Sequence, residues 1–248
     1  MTHEPSSTAD VLVTVDGLTK RYGRLTALDG ASFAIRPGEV LGLIGPNGSG
    51  KTTLFERLAG VRPADSGTVS VGGHALSLRE RATRLFYVPD AIGPWPTETV
   101  RWALDFALGY FQGPRDRRDE AIDRLGLASF LDARIGNLSK GQRKRAVLAV
   151  GLLTPQPILL ADEPFDGLDF RQTRDVGRAL RDHAASGRTL FLSIHQITDA
   201  ARVCDRFVLL SGGRVCGEGT FDELATRVGE RRDAGSAHDL EDVVLALT

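Results

Sequence analysis

Three stretches of this chain carry residues whose types and spacing can do chemistry on phosphates. The first, Gly45-Pro46-Asn47-Gly48-Ser49-Gly50-Lys51-Thr52, fits the pattern G-x-x-x-x-G-K-[ST] between an apolar strand and a run of helix formers. Its glycines let the backbone curl so that several N–H groups point at one anion. The helix start behind them adds a partial positive charge. Lys51 would reach the β- and γ-phosphates and the Thr52 hydroxyl would complete an Mg²⁺ shell, so the stretch predicts a nucleoside triphosphate site. The second is Asp162-Glu163, at the end of the apolar run Ile158–Ala161. There one carboxylate can hold a metal and its neighbour can polarise an attacking water. Paired acids after a strand are common, and their place downstream of the cradle is what favours the chemical reading. The third is His195, after Leu190–Ile194. A lone histidine at a strand end is often structural, but here it would stand at the end of a third phosphate-facing strand.

The elements that must position these residues follow from the apolar pattern. Up to residue 40, short apolar runs alternate with turn signals at Asp29-Gly30 and Arg36-Pro37-Gly38, which predicts an antiparallel sheet. Val40–Ile44 reads as a buried strand, Lys51–Ala59 as a helix and Gly60 as its cap. Ser66-Gly67 and Gly72-Gly73 read as hairpin signals. From about Thr97 to Ser139, helical spacing of Trp102, Ala103, Phe106 and Ala107, then of Ile122, Leu125, Phe130 and Leu131, predicts an inserted helical subdomain. Strands at Ile158–Ala161, Thr189–Ile194 and Arg206–Leu210, with helices between, predict a mainly parallel sheet. A helix should start near Thr220, followed by a polar break over Gly229–His238 and an amphipathic segment over Leu240–Leu247.

Composition removes several classes. With 248 residues, the chain is long enough for a sizeable core. Its 31 basic and 32 acidic residues leave no global pull toward nucleic acid or anionic lipid. Cys204 and Cys216 form neither a disulfide framework nor a metal pattern, and read as small residues in or near strands. No apolar stretch is long enough to span a bilayer, and the polar Met1–Asp10 carries no signal-peptide core. The expectation is a soluble, cytoplasmic chain that another protein holds at any membrane it serves.

The order of these motifs, with Asn137-Leu138-Ser139-Lys140-Gly141-Gln142 ahead of the Asp162-Glu163 strand, resembles the ATP-binding cassette (ABC) ATPases, whose signature is usually LSGGQ. The resemblance covers about residues 11 to 225. It implies an α/β fold: a P-loop NTPase core with a mainly parallel sheet, an N-terminal antiparallel β subdomain and an inserted helical subdomain over about 97–145. It divides the chain into a disordered polar start (1–10), the ATPase domain (11–228), and a polar linker with a short C-terminal helix (229–248).

The same resemblance implies roles for particular residues. Tyr22 would stack on adenine, while Asn47, Gly48, Ser49, Gly50, Lys51, Thr52 and Thr53 would hold the phosphates. Thr52, Asp162 and Asp90 would serve Mg²⁺, Glu163 would be the general base, and His195 would be the switch histidine near the γ-phosphate. Ser139, Gly141 and Gln142 open a helix that would face the ATP bound by another subunit, with Asp169 as the inter-subunit loop acid. A head-to-tail homodimer or heterodimer around two Mg²⁺-ATP follows from that pattern.

Two positions depart from it. Lys140 replaces the first signature glycine, at a position that faces outward. Asp90, in Tyr87-Val88-Pro89-Asp90, replaces the usual glutamine that contacts Mg²⁺ or water and links to the membrane partner. An acid there, with the ending Asp239–Thr248, resembles the bacterial exporters of drugs, antibiotics, lipids or polysaccharides, although the ending also reads as a generic amphipathic helix. Export through a separate transmembrane permease, with the chain peripheral on the inner face of the cell membrane, is the reading that follows. A soluble ABC ATPase of translation, DNA repair or regulation is the alternative, and a poorly hydrolysing ATP sensor, suggested by Asp90 alone, is a third. The run Arg143-Lys144-Arg145 reads as a solvated helix face and not as a nucleic-acid site. Trp95, between Pro94 and Pro96, reads either as ordinary packing or as part of the membrane partner's contact.

Overall fold

The computed structural model describes residues 12–90, 93–231 and 240–247. Its centre is a six-stranded sheet in the order β10-β9-β3-β8-β7-β6. It comprises β3 (Val40–Ile44), β6 (Leu85–Val88), β7 (Ile158–Asp162), β8 (Thr189–Ser193), β9 (Arg206–Ser211) and β10 (Arg214–Gly219). All neighbours are parallel except β10, which pairs antiparallel with β9. Every residue of β3, β7 and β8 is buried. Continuous burial is what a parallel strand needs when both sheet faces are covered, and it explains why these segments are unbroken apolar runs.

The second sheet is antiparallel, in the order β2-β1-β4-β5. It is built from β1 (Val13–Tyr22), β2 (Leu25–Ile35), β4 (Ser66–Val71) and β5 (His74–Ala75). Its apolar face packs with helix α1 (Lys51–Leu58) onto one side of the central sheet, where Phe191 lies 5.5 Å from Phe33 and 4.9 Å from Phe55, ring to ring. The other side carries α3 (Val100–Tyr110), α4 (Arg115–Arg124), α5 (Lys140–Leu152), α6 (Phe170–Ala185), α7 (Ile197–Val203), α8 (Phe221–Arg231) and α9 (Leu240–Leu247). Full burial of a side chain such as Phe191 or Leu104 contributes about 2 kcal/mol each, so this layering carries much of the stability.

The α/β architecture with one parallel and one antiparallel sheet agrees with expectation. Local readings differ in three places. Asp29-Gly30 is no turn: it sits inside β2, opposite register shifts in β1, and Gly30 takes the left-handed φ of 69° that a bulge demands. Ser66-Gly67 opens a strand, and only Gly72-Gly73 makes the hairpin turn into β5. Helix α2 (Leu78–Arg84), with its Ser77–Glu80 capping box, lies in a segment too polar for apolar spacing to reveal. The first three residues of the polar break at 229–238 continue α8; the rest of that break, and the expected disordered start at 1–10, lie outside the described residues. Cys204 is buried at the end of α7, two residues before β9, and Cys216 lies within β10. No helix among the described residues is long and apolar enough to cross a membrane.

Candidate functional site

The parallel sheet delivers the chemistry to one edge. The glycine-rich loop follows β3, His195 follows β8, Asp162 ends β7, and Asp90 follows β6. These are the carboxyl ends of neighbouring parallel strands, where open α/β sheets place ligands. A cleft of about 770 Å³ opens there. Tyr22, Asn47, Gly48, Gly50, Lys51, Thr52, Thr53, Asp90, Asp162, Glu163 and His195 all line it.

The loop is shaped as a cradle. Gly50 has φ 106°, and a Cβ there would stand 2.3 Å from the Ala27 carbonyl oxygen, so only glycine fits. No side chain caps the start of α1, which leaves its first-turn amides for an anion. The Ser49 hydroxyl is buried without a partner among the described residues. Lys51 curls back, its Nζ donating to the Gly45 carbonyl at 2.8 Å, and lies 4.0 Å from the Glu163 carboxylate.

Around Asp162 the donors converge. Thr52 Oγ1 donates to its Oδ2 at 2.8 Å, Tyr87 OH to the same oxygen at 3.3 Å, and Ser193 Oγ to its Oδ1. Burial first, and then the Asp162 charge, push the Tyr87 phenol far up, so it stays a neutral donor. The Ser193 hydroxyl also accepts from the Glu163 amide at 2.9 Å. Glu163 itself has φ 52°, a left-handed conformation costly for a residue with a Cβ, and the turn directs its carboxylate to the cleft. Burial raises its carboxyl above the usual range, against the opposing pull of Lys51 and His195. A carboxylate with raised proton affinity beside a phosphate cradle is suited to take a proton from water. Thr52 and Asp162 are hard oxygen donors in direct contact, the kind of set Mg²⁺ takes together with phosphate oxygens and water.

Tyr22 lies at the cleft's outer end, 42% exposed. The fully buried Arg57 donates to its hydroxyl, and Lys20 Nζ stands 5.5 Å from the ring centroid, so the ring is fixed while one part of it stays open.

The signature residues stand apart. Ser139, Gly141 and Gln142 do not line this cleft, nor does Asp169. Ser139 caps α5, accepting from the Gln142 amide at 3.2 Å, while Gln142 Oε1 accepts from the Ser139 amide at 3.0 Å. Asp169 caps α6 through the Gln172 amide at 2.8 Å. Gly141 is needed because a Cβ would meet the Gly167 carbonyl oxygen at 2.6 Å. Lys140 is exposed and pairs with Asp166.

One expectation fails outright. Arg143-Lys144-Arg145 is not a solvated face. Lys144 is buried, and its Nζ lies 2.6 Å from Asp90 Oδ1 and 3.3 Å from the Asp162 carbonyl oxygen. Arg145 donates to the Leu125 and Gly126 carbonyls and lies over the Phe130 ring, and Arg143 donates to the Leu138 carbonyl. Lys144 is buried and its two arginine neighbours are half-buried, because α5 is covered by neighbours on most of its circumference. Sequence reasoning also missed Ser193 and Tyr87. A serine ending an otherwise apolar, fully buried strand was the available signal for Ser193.

The sequence profile of the ABC transporter family matches residues 28–166. This chain belongs to the ABC transporter family. It is 36% identical over 224 residues to the Nod factor export ATP-binding protein I of Ralstonia nicotianae, covering 87% of this chain and 69% of that one. It is also 36% identical over 238 residues to a daunorubicin resistance ATP-binding protein of Streptomyces coeruleorubidus, covering 90% and 73%. Among solved structures, an ATP-binding subunit of an ABC transporter superposes with a TM-score of 0.83 at 26% identity, over 95% of this chain and 99% of that one. This ABC protein is thus an ATP-binding ATPase subunit.

Proposed function

We propose that this ABC ATPase binds Mg²⁺-ATP in the cleft, closes head to tail on a second ATPase subunit, and drives export through a separate transmembrane permease. The observation that carries the reading is the division of the chemistry. The cradle, metal donors and base share one cleft, while Ser139–Gln142 opens a helix outside it. A helix start that exposes the hydroxyl of its capping serine suits the γ-phosphate of an ATP held by another copy.

In this reading the amides of Asn47–Thr53 and the Lys51 ammonium bind the phosphates, and Lys51 leaves the Gly45 carbonyl to do so. Thr52 and Asp162 would hold Mg²⁺, which would supply charge neutralisation to the phosphates. Ser193 and Tyr87 orient Asp162. Glu163 takes a proton from the attacking water at its carboxylate, and the His195 side chain faces the γ-phosphate. Tyr22 stacks on the adenine.

An aromatic face favours a permease at the membrane's inner side. Trp102, Phe106 and Tyr110 lie one turn apart along α3, and Trp95 packs 5.6 Å from Trp102 and 5.5 Å from Phe106. Tyr110 is 71% exposed, and the whole group follows Asp90 in the chain. Both relatives named above point to export: one is called an export protein and the other a resistance protein.

The test is purification of the tagged chain from detergent-solubilised native membranes. A stoichiometric polytopic membrane protein is the expected companion. Ribosomal proteins or nucleic acid in its place would transfer the reading to a soluble ABC ATPase.

A further inference from the structure

Lys144 is a buried charge next to the cleft that the hydrolytic chemistry leaves unused. It is 5% exposed, and a buried ammonium is stable only with its charge and donors satisfied. Its carboxylate partner is Asp90, whose Oδ1 lies 2.6 Å from Nζ. The remaining contacts are the carbonyl oxygens of Asp162 at 3.3 Å and Asp90 at 3.5 Å. The ammonium therefore ties α5, the helix that begins at Ser139, to the ends of β6 and β7.

Asp90 also lines the nucleotide cleft, with its side chain 37% exposed. One carboxylate thus stands between a fixed internal cation and the place where a divalent cation would arrive. Two cations on one carboxylate repel each other and divide its charge. Lys144 must weaken whatever Asp90 offers a metal, and a metal must weaken the tie to α5.

We propose that Lys144 is a positioning residue that competes with the divalent cation for the Asp90 carboxylate, so that loading the cleft loosens the link between β6 and the signature helix α5. This rests on the reading of the cleft as a metal-nucleotide site. It gives the Asp90–Lys144 pair a task beyond replacing a neutral side chain: occupancy of the cleft is transmitted to Ser139 through a single shared charge.

The test titrates Mn²⁺ by electron paramagnetic resonance into ATP-loaded full chain carrying Glu163→Gln, which slows hydrolysis. In that background Lys144→Gln keeps a donor for the two carbonyls but removes the charge, and Mn²⁺ should bind about tenfold more tightly. Asp90→Asn, which removes the shared carboxylate and leaves the Lys144 charge uncompensated, should weaken Mn²⁺ binding. Adding Lys144→Gln to Asp90→Asn should gain less than the tenfold expected with Asp90 present, as a double-mutant cycle requires if Lys144 acts through that carboxylate. Without metal or nucleotide, where no closed pair forms, amide exchange over 139–146 should be higher in Lys144→Gln than in the Glu163→Gln parent. An unchanged or weaker Mn²⁺ affinity in Lys144→Gln overturns the proposal, and so does an equal gain from Lys144→Gln with and without Asp90, which would make Lys144 act by its charge alone and not through the shared carboxylate. Failure of the Glu163→Gln parent to bind Mn²⁺ would instead overturn the metal-nucleotide reading, and this inference with it.

Discussion

The cradle and the signature helix are built on opposite plans. The cradle leaves polar groups waiting: first-turn amides with no side-chain cap, a Ser49 hydroxyl with no partner among the described residues, and a lysine parked on backbone carbonyls. The signature helix leaves little waiting, since Ser139 and Gln142 satisfy each other and Asp169 is engaged in capping α6. A region with unmet hydrogen-bonding capacity is prepared to enclose a ligand. A self-satisfied helix start is prepared to present a fixed surface. The difference teaches that the cleft is built to receive a ligand while the helix start is built to present a surface.

The largest expected effect breaks the cradle side. Glu163→Gln should reduce ATP hydrolysis by about a hundredfold or more while ATP binding, followed by a fluorescent nucleotide, persists. Loss of binding along with hydrolysis would show that Glu163 holds nucleotide and is not a base. On the signature side, Ser139→Asp keeps a good helix cap and adds a negative charge. It should leave monomer ATP binding and thermal stability unchanged yet lower hydrolysis by at least about tenfold, because the added charge faces phosphate. Normal turnover in that variant would remove the signature helix from the chemistry.

Proton linkage gives a subtler contrast. Burial raises the Glu163 carboxyl in the folded chain, so the folded state holds that proton more tightly than the unfolded one. Stability from this group is therefore present at low pH and lost as pH rises through the raised value. At neutral pH the ionised Glu163 destabilises, and Glu163→Gln should raise stability by about 1 kcal/mol in denaturant titration. The acid limb of the hydrolysis profile should likewise lie above the ordinary carboxylate range of about 4.5 and vanish with the residue. The smallest effect is expected from Tyr22→Ala, with ATP affinity falling by about 1 kcal/mol, or roughly fivefold, through lost stacking.

Much of this was legible in the residues. The cradle, the strand ends and the capped signature helix each have a short-range signal: glycine spacing, unbroken apolar runs, or a serine three positions before a glutamine. What was not legible depended on three-dimensional neighbours. Lys144 lies between two arginines and reads as exposed until strands β6 and β7 are placed against α5. Ser193 and Tyr87 meet Asp162 only because β6, β7 and β8 are adjacent, an order that local pattern does not encode. Asp29-Gly30 carried a genuine glycine signal that marks a bulge as readily as a turn.

The central claim is that a working site joins the cradle of one chain to the signature helix of another. It can be tested by mixing two inactive variants, Lys51→Ala and Ser139→Asp, under conditions that let dimers exchange. In a head-to-tail pair, one of the two mixed sites combines an intact Lys51 with an intact Ser139. Hydrolysis should return to about a quarter of the unmodified rate, since about half of the pairs are mixed and each holds one intact site. A mixture as inactive as its two components would contradict the account.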